Sequence, residues 1–139
     1  MSSVSTWKAP EIGDLVWCNF PEDARLQPGP KPRPAIVVAV DEKLDGCMVQ
    51  VIPGTSQRVD QLYAGEFAIL KSNLAAFKLA GLTSETKFQF GSMLNLPWTS
   101  NFFKVPPLSR HGETPVLGTL HASVMRSFFA AYEAIKDRL

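Results

Sequence analysis

The sequence carries almost no net charge: 14 Lys and Arg stand against 13 Asp and Glu, leaving +1. A protein that holds nucleic acid by bulk attraction is usually strongly basic, so any such contact here is confined to a local patch. Cysteine is scarce. Cys18 and Cys47 are too few for a disulfide framework and fit a cytoplasmic protein with reduced thiols. Histidine is equally scarce, with only His111 and His121, and no His-x-x-x-His or Cys-x-x-Cys spacing occurs. A structural zinc site takes about four such ligands, so neither a metal nor another cofactor is expected. Glycine forms no phosphate-cradling loop, since Gly29 and Gly54 are isolated. No Gly-x-Ser-x-Gly nucleophile elbow is present. No apolar run approaches the about 20 residues of a membrane span, so no membrane contact is expected. The first stretch includes Glu11 and Asp14 and has no apolar core, so a secretory leader is not expected either.

What is present is 139 residues with 45% hydrophobic side chains, enough for one ordinary domain with its own core. Residues 1–11 are polar and Ser-rich around Trp7 and Pro10 and read as an N-terminal arm; 12–139 read as a single barrel domain. Gly13–Phe20 is β-branched and aromatic and reads as a strand ended by Pro21. A loop follows with Pro21, Pro28, Pro30 and Pro32, a density that neither helix nor strand interiors tolerate. Pro34–Val40 is a nearly continuous β-branched run, as in a strand buried on both faces. Asp45-Gly46 signals a turn, and Cys47–Ile52 is the returning strand, broken by Pro53-Gly54.

Gly65–Leu70 alternates as a strand. Leu74–Ala80 favours helix, with Ser72 or Asn73 as N-cap and Gly81 as the stop. Lys87–Phe90, Asn95–Trp98 and Val116–Leu120 read as short strands, and 101–115 as irregular. Val124, Met125, Phe128, Tyr132, Ile135 and Leu139 recur three or four apart, which predicts a helix over about 122–138. Short strands closed by a helix predict a mainly β (α+β) fold: a small antiparallel barrel with a short mid-chain helix and a long C-terminal one.

The hairpin through Asp45-Gly46 has a consequence for chemistry. It brings the start of one strand, at Lys31-Pro32-Arg33-Pro34, beside the end of the next, at Thr55-Ser56-Gln57. A guanidinium beside hydroxyls suits a phosphate, which Arg binds bidentately. Arg25, Lys31 and Arg58 extend the positive patch. The competing reading is a solvated loop arginine followed by ordinary turn chemistry. His121 reads as a structural residue at a helix start and His111 as a solvated loop residue.

Gly13-Asp14-Leu15-Val16-Trp17, then Lys31-Pro32-Arg33-Pro34-Ala35-Ile36-Val37-Val38, then Val51–Gln57 resemble the MazF/PemK family of toxins from toxin–antitoxin pairs. The likeness continues through Gly81-Leu82 and Leu117-Gly118-Thr119-Leu120 before the last helix. It implies an SH3-like barrel, usually homodimeric, and a metal-independent, sequence-specific endoribonuclease that cuts single-stranded RNA until a cognate antitoxin holds it. It implies catalytic roles for Arg33 and Thr55, with Ser56 beside it, and RNA contacts from Trp17, Arg25, Lys31, Gln57, Arg58 and Lys87. Where some members carry a further Arg and Asp, this chain reads Gln89 and Gly91. The general base and acid are therefore left open among Glu22, His111 and Lys87. That departure keeps a second reading in view: a non-catalytic binding module on the same fold, like the gyrase poison CcdB. Trp17, Trp98, Phe102, Phe103, Phe128 and Phe129 are many large side chains for one small barrel, and serve either as core or as a self-complementary patch.

Overall fold

The computed structural model describes residues 7–23, 25–107 and 112–139. Its centre is the hairpin of β2 (Arg33–Lys43) and β3 (Gly46–Thr55), paired antiparallel from Ala35↔Pro53 to Lys43↔Gly46. Both strands are longer than their apolar runs. β2 continues through Asp41-Glu42-Lys43, because the polar residues there face solvent while the ladder still holds. β3 passes through Pro53-Gly54 instead of breaking there. Pro53 keeps its place opposite Ala35, and Gly54 pairs with Phe88. A Cβ at Gly54 would lie 2.7 Å from Phe88 Cε1 and 2.9 Å from the Pro34 carbonyl oxygen, so glycine is needed for close packing and not for a turn.

β1 (Asp14–Cys18) adds to β2, and β7 (Val116–Thr119) adds to β1. The other edge of β3 is divided. Its first half pairs with β6 (Leu94–Pro97), and its end pairs with β5 (Thr86–Gln89), which in turn pairs with β4 (Glu66–Ile69). All these ladders are antiparallel, and the path runs β4-β5-β3-β2-β1-β7. A register shift between Val37 and Ala39 bends β2. The result is an antiparallel half-barrel, with β4 and β7 sharing no ladder among the described residues.

Alternation along the strands loads both faces. Leu15, Ile36 and Ile52 point to one core with Phe67, Phe88, Phe90 and Phe128; Val16, Val37 and Val51 point to another with Trp98 and Phe103. Trp98, Phe103 and Phe128 are therefore core residues, while Phe129 is 56% exposed. Cys18 is fully buried in the second core, and burial pushes its thiol far above the ordinary range. The described end of the arm is packed down. Trp7 meets Trp98 edge to face at 5.8 Å, and the Trp98 indole donates to the Lys8 carbonyl at 3.1 Å.

The helix α1 (Leu74–Leu79) has Asn73 as its N-cap, whose side chain accepts from the Ala76 N–H. Gly81, at φ +73°, follows it, and a side chain there would collide with the Leu117 carbonyl. The C-terminal helix is α2 (Met125–Ile135), flanked by 3-10 turns at Ala122–Val124 and Lys136–Arg138. With these turns the helical segment spans the 122–138 of its periodic pattern, and only its ends are wound more tightly. Phe128, Ala131 and Ile135 bury its inner face. His121 caps the first turn, its ring nitrogen accepting from the Ser123 N–H at 3.0 Å. No described helix is long and apolar enough to cross a membrane.

Candidate functional site

β1 ends opposite the start of β2, so the chain leaving Cys18 passes close to Arg33. The loop after β1 is pinched at its neck. The Gly29 N–H donates to the Asn19 carbonyl and the Asn19 amide donates to the Gly29 carbonyl, each at 3.0 Å. That neck holds Phe20, Pro21 and Glu22 as one wall of an open cleft of about 770 Å³. Arg33 lies on the same wall, 3.7 Å from a Glu22 carboxylate oxygen. Both side chains are substantially exposed, so the pair contributes little stability and both groups can meet a ligand.

The opposite strand closes the cleft. Ala35 faces Pro53, so Arg33, two residues earlier, faces the position of Thr55, two residues later. Both line the cleft. The Thr55 hydroxyl accepts from the Gln57 N–H at 3.1 Å, a short turn that fixes the oxygen and leaves its hydrogen free to donate. Gln57 and Arg58 continue the wall, Arg58 in the left-handed region at φ +52°.

The floor comes from β4 and β5. Thr55 pairs with Lys87, and Glu66 pairs with Gln89. The Lys87 ammonium lies 2.9 Å from Glu66 Oε1 and donates to the Gln61 carbonyl at 2.7 Å. It also sits 5.3 Å from the centre of the Tyr63 ring. Its side chain is 5% exposed and that of Glu66 11%. Burial alone would push the Glu66 carboxyl up. The Tyr63 N–H, the Gln89 amide and the Lys87 ammonium together outweigh it and hold the carboxyl below its ordinary value.

The residues singled out in the sequence thus divide. Arg33, Thr55, Gln57, Arg58 and Lys87 line one cleft, with Glu22 and Gln89. Trp17, Arg25, Lys31 and Ser56 are not among its lining residues. Arg25 is exposed and paired to Asp23 at 2.8 Å. Lys87 has its own protein partners in place of a free ammonium. His111 lies outside the described residues, and Gly91 is exposed in the 3-10 turn Phe90–Ser92. Two residues went unnoticed in the sequence, Glu66 and Tyr63. The alternation of Gly65–Leu70 places Glu66 opposite the core face occupied by Phe67, which was the available signal for it. Among the described residues no group of three His, Cys, Asp or Glu side chains is placed to hold a metal ion.

The cleft therefore combines an accessible guanidinium, a fixed hydroxyl, an exposed carboxylate and a buried ion pair. A guanidinium with a hydroxyl can bind an oxyanion, and an exposed carboxylate can accept a proton. No family model matches the chain, and no curated protein matches its sequence.

Proposed function

We propose that this protein is a toxin endoribonuclease of the MazF/PemK kind, its half-barrel an SH3-like one, acting on single-stranded RNA without a metal. The observation that carries the reading is that Arg33 and Thr55, which end adjacent antiparallel strands, line one open cleft. In the reaction the ribose 2′-oxygen attacks the adjacent phosphorus and the bond to the 5′ oxygen breaks. The products are a 2′,3′-cyclic phosphate and a free 5′-OH. Arg33 stabilises the charge that builds on the phosphorane, and the Thr55 hydroxyl donates to a phosphate oxygen. Glu22, beside Arg33 and exposed, takes the 2′-OH proton. The departing 5′ oxygen takes a proton from water in the open cleft.

A cognate antitoxin and a homodimer belong to the same proposal. Phe129 and Tyr132, 56% and 40% exposed on α2, are apolar surface that such partners would cover. The test is the end chemistry of the products. A single-stranded RNA incubated with the protein in EDTA should yield fragments with cyclic phosphate and 5′-OH ends. Growth arrest that Arg33→Ala leaves undiminished, with RNA intact, would favour the non-catalytic binding module instead.

A further inference from the structure

We propose that Tyr63 is a stacking platform for an unpaired nucleobase next to the phosphate held at Arg33 and Thr55. The inference rests on the RNA reading of the cleft and deepens it by assigning a base site. Tyr63 is 65% exposed and lines the cleft. Its position is nevertheless fixed. Its N–H donates to Glu66 Oε1 and its carbonyl accepts from the Glu66 N–H, both at 3.0 Å. The same Glu66 is held by Lys87 and by the Gln89 amide, 2.9 and 3.0 Å away. Lys87 ties down the loop a second time through the Gln61 carbonyl. Its ammonium, 5.3 Å from the ring centre, supports one side of the aromatic ring.

The buried ion pair thus has a use besides stability. It anchors the Tyr63 backbone and sets a cation against the ring, so less ordering is left to be done on binding. The location fits a nucleotide chain. Lys87 is the strand partner of Thr55, and the ring it supports lines the same cleft as the Thr55 hydroxyl. A base can reach that ring only when it is splayed out of a helix, which selects single strands. Stacking accepts every base, so the platform supplies grip, and selectivity falls to polar groups around it.

The test uses a short single-stranded RNA with a 2′-deoxy sugar at the cleavage position, which blocks attack, and 2-aminopurine beside that phosphate. The fluorescent base should be quenched on binding to the wild type and to Tyr63→Phe. With Tyr63→Ala the quench should disappear and Kd should rise about 5- to 150-fold. Tyr63→Leu, which keeps Lys87 covered, should behave like Tyr63→Ala with an unchanged melting temperature. Equal quenching and Kd for Tyr63→Ala and wild type would overturn the proposal. So would loss of binding in Tyr63→Phe, which would assign the role to the hydroxyl. A Tyr63-dependent quench in a protein that leaves all-ribose RNA intact would uphold the platform while defeating the nuclease reading.

Discussion

The Lys87 ammonium and the Glu66 carboxylate meet at 2.9 Å beneath the cleft, with side chains 5% and 11% exposed. Removing one partner leaves the other charge buried. The cleft above stays open to water, so Glu66→Gln should destabilise the protein by about 1–3 kcal/mol, below the about 3–5 kcal/mol of a fully enclosed pair. Urea denaturation at neutral pH checks this.

The same carboxylate gives a pH dependence. Its folded pKa lies below the ordinary 4.5, so its contribution is present above that value and is lost as pH falls through the folded one. The stability gap between wild type and Glu66→Gln should be full at about pH 7 and should shrink as pH falls below about 4.5. A gap that stays constant down to about pH 3 would contradict this assignment.

The neck of the loop after β1 should control activity through position. A Cβ at Gly29 would collide with the Phe20 carbonyl, so Gly29→Ala must displace the wall that carries Glu22. Overpacking of this kind costs about 1–3 kcal/mol. The expected result is a lowered melting temperature and a fall in kcat larger than any change in KM. Unchanged kcat would mean that Glu22 does not need this loop geometry.

That Arg33 and Thr55 share one cleft was legible because it needs only a turn signal and strand arithmetic. The hairpin turns at Leu44-Asp45, one residue ahead of the expected Asp45-Gly46 step, since Gly46 already pairs with Lys43, and the hairpin fixes which ends meet. The last helix was legible from its period, as was the strand that carries Glu66. Gly54 was misread because its requirement is tertiary: it admits Phe88 and the Pro34 carbonyl, which are far from it in sequence or off its strand. Tyr63 had no local pattern at all. Its partners, Glu66 and Lys87, act on it only once β4 and β5 are paired.

The arm should matter more than its composition suggests. Trp98 donates to the Lys8 carbonyl and packs against Trp7. Deleting residues 1–11 removes the acceptor and exposes the indole, at a cost of at least about 1–3 kcal/mol. Tryptophan emission should shift to the red. Unshifted emission with full stability would show that the arm does not belong to the second core.

RNA affinity should depend weakly on salt. Arg33 and Arg58 are the cleft cations without a buried partner, so about one or two phosphates are neutralised, and log K should fall against log salt with a slope of about −0.7 to −1.4 for single strands. A steep slope, as from a basic groove, would place the binding surface elsewhere.

The most direct measurement is cleavage of a long single-stranded RNA in EDTA by wild type and Arg33→Ala. Losing one transition-state donor costs about 10²- to 10³-fold in rate. Arg33→Lys should also be strongly impaired, since an ammonium cannot replace the planar fork. The wild type should give discrete cuts, and Arg33→Ala, with the fold intact, should cut at a rate at least about 100-fold lower. Intact RNA with the wild type, or equal cutting by both, would contradict this.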